Sequence, residues 1–266
     1  MPVITLTTDF GDPSLYPAAM KAVIFGLNPE VQIVDLTHSV PRAGIREGAF
    51  ALYFLTPYFP PQTVHVAVID PGVGTSRRPL AIKAGSFGKE QFFVGPDNGL
   101  LIPAARRIGA GLMEVYEITN RALMLPGISS TFHGRDIFAP VGANLSKGFP
   151  VEKVGPKISD FTDLDFGNFG IDGKFIFGEV LFVDSFGNVI TNIPGEVVLE
   201  LSGFGAELEV NGRPLPFVRT YGLVESGETL ALIGSHGFLE FAVNLGDAAQ
   251  DLGLKNGAQV KIKGLS

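Results

Sequence analysis

Val64-His-Val-Ala-Val-Ile-Asp70-Pro-Gly-Val-Gly-Thr-Ser-Arg77-Arg78 sets an apolar, β-branched run directly before an acid, a Pro-Gly-x-Gly turn and two arginines. Residues 64–69 suit a strand buried on both faces of a parallel sheet. Asp70 then stands at the carboxyl end of that strand, where open α/β sheets place their ligands. A carboxylate held there by a rigid strand and a Gly-rich turn is a candidate site residue. The other possibility is a turn-capping Asp followed by two solvated arginines.

Working outward, the flanking segments repeat a strand–turn–helix pattern. Residues 3–8 read as a buried strand ending on Asp9-Phe10-Gly11, and residues 16–27 as a helix stopped by Asn28-Pro29. Residues 31–36 form a second strand closing on Thr37-His38-Ser39, and residues 46–55 a helix ended by Pro57, Pro60 and Pro61. Residues 80–84 and 91–94 make a hairpin-sized pair leading into Gly95-Pro-Asp-Asn-Gly99. A helix over 100–108 ends on Arg106-Arg107, where the helix dipole favours cations, and is followed by a strand over 113–118. Residues 131–147 run from Thr131-Phe132-His133-Gly134-Arg135-Asp136 into an apolar helix.

This alternation predicts an α/β fold: an N-terminal α/β domain over 1–157 with a central, mostly parallel sheet. Residues 158–174, rich in Asp, Gly and Asn without regular periodicity, read as a linker. Residues 175–266 read as a small antiparallel β-barrel domain with strands near 175–183, 189–192, 206–210, 229–233, 238–243 and 259–262. No helix is required there. Asn211-Gly212 between alternating segments is a hairpin signal.

Composition narrows the function. The 266 residues are 45% hydrophobic and 18% charged, enough for a substantial core. A net charge of −7, with no long Lys/Arg cluster, argues against nucleic acid as a partner. The absence of cysteine excludes disulfides, thiolate catalysis and Cys-ligated metals. Met1 leads straight into strand-like sequence with no basic leader, and no apolar stretch approaches a membrane span, so the expected location is cytoplasmic, with no membrane partner. No metal-ligand spacing, dinucleotide loop, phosphate loop or serine-nucleophile elbow occurs, so the expectation is no metal and no cofactor.

Of the histidines, His133 in its Gly-flanked turn beside Arg135 and Asp136 is the most suggestive, although a lone His of this kind also serves as a structural hydrogen-bonder. His65 alternates within a buried strand and reads as core, His38 ends a strand, and His236 in Gly234-Ser-His-Gly237 either touches ligand or occupies a hairpin.

Thr8-Asp9-Phe10-Gly11, Val34-Asp-Leu-Thr-His38, Asp70-Pro-Gly-Val-Gly-Thr75, Gly95-Pro-Asp-Asn-Gly99, Thr131-Phe-His-Gly-Arg-Asp136, Phe186-Gly-Asn-Val189 with Thr191-Asn192, and Gly234-Ser-His-Gly237 follow one another in an order that spans the whole chain. With these motifs the chain resembles the S-adenosyl-L-methionine (SAM) hydroxide adenosyltransferases, water-using relatives of the fluorinating and chlorinating SAM enzymes. The resemblance implies an N-terminal α/β domain, a C-terminal β-barrel and a homotrimer. SAM would lie between the N-terminal domain of one subunit and the C-terminal domain of the next.

By motif, the resemblance makes Asp70, Arg77 and His133 the catalytic set that holds and activates water. Asp9 takes the ribose hydroxyls, and Phe132 joins the substrate-binding group. Phe186 lies against the adenine, Asn188 reads its edge, and Asp184 and Ser235 hold the amino and carboxylate ends of the methionine. His236 stands where the halogenating relatives carry Arg. Those relatives also have Tyr in place of Asp70 and Tyr-Ser in place of His133-Gly134, the Ser binding halide. An acid at position 70 and no hydroxyl at 134 favour water as nucleophile, so the implied reaction is hydrolysis of SAM at ribose C5′ to adenosine and L-methionine, with SAM as substrate rather than cofactor. His133 is the expected proton acceptor and Asp70 the anchor for one water hydrogen. A halide-using transferase and a non-catalytic SAM or adenosine sensor are the alternatives.

Overall fold

A computed structural model describes residues 1–11 and 13–265 and divides into two units, Met1–Leu164 and Asp165–Ser266. The first unit contains β1 (Val3–Thr8), α1 (Leu15–Leu27), β2 (Gln32–Thr37), α2 (Ile45–Leu55), β3 (Val64–Val68), β4 (Pro79–Ala84), β5 (Gln91–Pro96), α3 (Ile102–Gly109), β6 (Met113–Glu117), α4 (Ala139–Ser146) and β7 (Lys157–Ile158). Its sheet has the order β2-β1-β3-β5-β4-β6-β7. The pairings from β2 through β5 are parallel. Those that add β4, β6 and β7 are antiparallel.

β3 is buried along its whole length, which is why it reads as an uninterrupted apolar run. Helix α4 comes close to it through Gly142, where an added Cβ would press on Val66. The one polar side chain of β3, His65, is satisfied within the sheet: Nδ1 pairs with Thr5 Oγ1 at 2.7 Å and Nε2 with Gln91 Oε1 at 3.1 Å. Burial lowers its pKa to about 4, so it folds as a neutral ring. The helix expected from residue 131 onward begins instead with a π-helical turn, Gly134–Phe138, that runs into α4.

The second unit contains β8 (Gly170–Asp172), β9 (Phe175–Val183), β10 (Val189–Pro194), α5 (Gly195–Leu201), β11 (Glu207–Val210), β12 (Arg213–Pro216), β13 (Thr229–Ile233), β14 (Phe238–Val243), α6 (Ala248–Leu252) and β15 (Gln259–Leu265). The strand order is β12-β11-β15-β9-β10-β14-β13, with β8 added beside β9. Each of these pairings is antiparallel. A bridge between Phe217 and Ala231 nearly closes the barrel. Asn211 and Gly212 both take positive φ, 50° and 88°, as a tight Asn-Gly hairpin requires.

Two features depart from the expectation. Short helices α5 and α6 interrupt the strands, the second capped by Asp247, which accepts from Gln250 N at 2.8 Å. The stretch 158–174 is also more ordered than a linker. Thr162 N donates to Asp97 Oδ1 at 2.7 Å and Arg106 forms a two-pronged pair with Asp163, so this part docks on the first unit, whereas β8 joins the second sheet.

Candidate active site

Ile69 and Asp70 leave the carboxyl end of β3, and the chain then turns through Pro71–Ser76 to bring Arg77 back against Asp70. Arg77 Nε donates to Asp70 Oδ1 at 3.0 Å and Nη2 donates to Asp70 Oδ2, a bidentate pair with both side chains almost buried. The same Nη2 lies 3.0 Å from His133 Nδ1, and Nη1 donates to the Arg78 carbonyl at 3.1 Å. The guanidinium also lies over the Phe138 ring. Arg77 is therefore held on several sides, and it in turn orients both a carboxylate and an imidazole.

A guanidinium is always protonated and can only donate, so His133 Nδ1 must accept. The neutral ring consequently carries its hydrogen on Nε2. Burial, reinforced by the Arg77 charge and opposed by Asp70 and Asp136, holds the His133 pKa below the ordinary histidine value.

Arg78 points elsewhere. It pairs with Asp97 at 2.8 Å and with Asp160 at 3.1 Å, so of the two arginines only Arg77 meets Asp70. Asp97 belongs to the Gly95–Gly99 motif, and its neighbour Asn98 donates Nδ2 to the Ile69 carbonyl at 2.8 Å. That bond fixes the last peptide before Asp70. Gly74, at φ 76°, lets the turn pass against the Ser130 carbonyl, where any Cβ would collide. Asp136 is fully buried and takes two bonds from Arg135 and one from Ser129 N, which shapes the loop that presents His133.

Asp9, Phe10, Val68, Asp70, Phe132 and His133 are among the residues lining a cavity of about 110 Å³. Phe132 packs edge-on against Phe10 and Tyr16, with centroids 5.9 and 5.0 Å away. Asp9 Oδ2 accepts from Ala43 N at 2.9 Å. The expected residues of the first unit thus gather at one cavity, with Arg77 directly behind Asp70. Asn98, Gly74 and Asp136 were not among them. The polar Gly-rich motifs around these residues were visible in sequence, but their bonds to Ile69 and Ser129 cross tens of residues or depend on a folded loop.

In the second unit a larger cavity of about 460 Å³ is lined by Phe186, Asn188, Tyr221, Asn244 and Leu245 among others. Phe186 is 76% exposed. Asp184 holds the loop that carries it, accepting from Phe186 N and Asn188 N through Oδ1 and from Asn188 Nδ2 through Oδ2, at 2.8–2.9 Å. Ser235 is exposed on the β13–β14 hairpin. His236 in that hairpin accepts from Phe238 N at 3.1 Å through Nδ1 and meets Glu240 Oε2 at 3.0 Å through Nε2. Tyr221 and Glu240 were missed in sequence, where nothing in their local pattern distinguishes them from a loop tyrosine and a strand-surface acid.

Among the described residues no group of His, Asp and Glu is placed to hold a metal ion, and no helix is long and apolar enough to cross a membrane.

Residues 4–155 match the family model of the SAM hydroxide adenosyltransferase N-terminal domain and residues 178–261 that of its C-terminal domain. The (R)-S-adenosyl-L-methionine hydrolase of Salinispora tropica is 40% identical over 98% of this chain and 97% of its own. The enzyme of the same name from Thermus thermophilus is 41% identical over 96% and 97%. A fluorinase of Nocardia brasiliensis is more distant, at 28% identity over 98% and 97%. Among solved structures, an uncharacterized conserved protein from Thermotoga maritima superimposes with a TM-score of 0.91 at 41% identity, covering 98% of this chain and 99% of that one.

Proposed function

The chain belongs to the SAM hydroxide adenosyltransferase family, and from that premise we propose that it hydrolyses SAM at ribose C5′, releasing adenosine and L-methionine. The observation that carries the proposal is the Asp70–Arg77–His133 set, bonded through one guanidinium, with Asp70, His133 and Asp9 lining one cavity. Chain-long identity to named SAM hydrolases supports it.

The sulfonium of SAM makes methionine a neutral leaving group, so the departing sulfur needs no acid. The demand falls on the nucleophile. A carboxylate offers more acceptor positions than Arg77 occupies, so Asp70 has room for a water hydrogen. His133, its Nδ1 engaged by Arg77, presents Nε2–H as a donor to the water oxygen. Between them a water is left with one lone pair for in-line attack. The C5′–O bond forms as the C5′–S bond breaks with its electron pair staying on sulfur. The proton lost from the attacking water passes to Asp70, the acceptor that holds that hydrogen, because a water alkylated on oxygen is strongly acidic. The proton-acceptor role expected of His133 thus moves to Asp70, and His133 serves by orienting the water. As the positive charge of the sulfonium disperses, exclusion of bulk water assists the step.

Asp9 takes the ribose hydroxyls, Phe132 contributes to the substrate-binding wall, and Phe186, Asn188, Asp184 and Ser235 serve the adenine and methionine portions. The active form is a homotrimer with sites completed between subunits, working in the cytoplasm without metal or separate cofactor; the family resemblance supports the assembly. Gly134 bears on the choice of nucleophile. A Cβ there would meet Met20 Sδ and Phe132 Cε2 at 3.2 Å, so the serine of the halogenating relatives has little space. Incubation with SAM in halide-free buffer containing ¹⁸O-labelled water tests the reading. Labelled adenosine plus methionine is expected, and intact SAM would refute hydrolysis.

A further inference from the structure

Glu240 lies on β14, paired with Ile190 and Leu232 on the neighbouring strands, and is only 4% exposed. Burying a carboxylate is costly unless its oxygens receive strong hydrogen bonds. Oε1 accepts from the Tyr221 hydroxyl at 2.7 Å and Oε2 lies 3.0 Å from His236 Nε2. The Phe238 N–H donates to His236 Nδ1, which places the ring hydrogen of neutral His236 on Nε2, pointing at Glu240. Gly234 is needed for this contact, because a Cβ there would run into both His236 Nε2 and Glu240 Oε2. Both carboxylate oxygens are thereby used as acceptors, one for the hydroxyl and one for the imidazole.

Tyr221 is the link between this buried group and the 460 Å³ cavity, since the residue lines the cavity and its hydroxyl is held by Glu240. Burial and the Glu240 carboxylate both raise the Tyr221 pKa, so the hydroxyl remains a donor. Resting on the SAM reading, we infer that Glu240 is a positioning residue of the nucleoside pocket. It fixes the Tyr221 ring as a flat wall for a purine, in the cavity that Phe186 also lines. His236 serves Glu240 rather than the methionine carboxylate, because each of its ring nitrogens is directed to a partner within the hairpin.

The test is a double-mutant cycle on the full-length protein with Tyr221→Phe and Glu240→Leu, which removes both acceptors at position 240, reading the KM and kcat for SAM and, separately, the dissociation constant of adenosine by calorimetry. Tyr221→Phe removes one oxygen and keeps the ring, so it guards against a folding defect in the Glu240 variant. Each single change is expected to weaken adenosine binding and raise KM about 10-fold with kcat within about twofold, the scale of one hydrogen bond to a charged group. The double variant is expected to be no worse than the weaker single one, because both changes cut the same bond. Multiplying losses, unchanged affinity, or a fall in kcat at constant KM would overturn the assignment, as would wild-type protein that does not bind adenosine. Adenosine binding that follows the expected cycle in a protein that leaves SAM intact would sink the hydrolysis reading and leave this one standing.

Discussion

The cavity of the first unit is walled by titratable groups, Asp9, Asp70 and His133, with Arg77 immediately behind them, whereas the cavity of the second is walled by Phe186, Tyr221, Asn188 and Leu245, with Glu240 buried behind the tyrosine. Both use a carboxylate and a histidine, yet to different ends. Asp70 and His133 face the cavity and share a permanent cation. Glu240 and His236 face each other and act through a neighbouring ring. The scaffolds differ in the same way. A buried parallel strand delivers Asp70 with little freedom, while hairpins and a short turn of an antiparallel barrel present the second set. Polar groups exposed to a cavity suit bond making, and polar groups sealed behind a ring suit shape.

That division can be broken most directly at Asp70. Asp70→Asn keeps the shape but loses the proton acceptor and weakens the Arg77 pair, and should lower kcat by roughly 10²–10⁴-fold while KM changes little. Steady-state kinetics with a SAM titration checks it, and a variant with altered KM and normal kcat would erase the distinction between the two regions. The next effect concerns stability behind the same strand. His65 is neutral when folded, with a pKa lowered by burial to about 4 against 6.5 when unfolded. The unfolded chain therefore binds the extra proton first as pH falls. Stability present above pH 6.5 is lost progressively between 6.5 and 4, by about 3 kcal/mol in full. Urea unfolding at stepped pH, compared with His65→Gln, should show the slope in the wild type and a flatter profile in the variant.

Smaller again is Gly74→Ala. The left-handed φ and the Ser130 carbonyl should together cost roughly 1–3 kcal/mol, seen as a lowered Tm, and kcat should fall because the turn carries Arg77. The mildest change, Phe186→Ala, should raise KM roughly 3–10-fold with kcat nearly constant, as expected for one aromatic contact. A larger loss in kcat than in KM would place Phe186 among the reacting groups and redraw the boundary. The pH profile sharpens the picture further. Since His133 sits below the ordinary histidine range, protonation that breaks its bond to Arg77 should reduce kcat/KM only below about pH 6.5.

What could be read without coordinates follows from how local each signal is. The uniform apolarity of residues 64–69, the Gly-Pro punctuation after Asp70 and the Asn211-Gly212 turn are written in adjacent residues, and the sheet, the site edge and the hairpin duly form there. The choice between Arg77 and Arg78 is not local, because it depends on Asp97 and Asp160 drawing Arg78 away. Helices α5 and α6 are too short to develop a helical periodicity, and β7 is a strand only because β6 is beside it. Glu240 is the extreme case. A strand acid between apolar neighbours looks like an outward-facing residue, and only the approach of Tyr221 and His236 makes it an interior one.

The bond from Asn98 to the Ile69 carbonyl separates two kinds of address within the site. Asp70 is located by the sheet, because the peptide before it is tied to the exit of β5. Arg77 is located by the turn from Pro71 to Ser76 on one side and, on the other, by Arg78 and the start of β4 at Pro79. The turn thus works as a ruler laid from that fixed mark to a second one. A residue inserted into it would shift the guanidinium and, through it, the imidazole of His133, while the carboxylate stayed in place. Substitution along the strand spoils the mark itself, so the spacing of the site can be retuned by loop length without disturbing its origin.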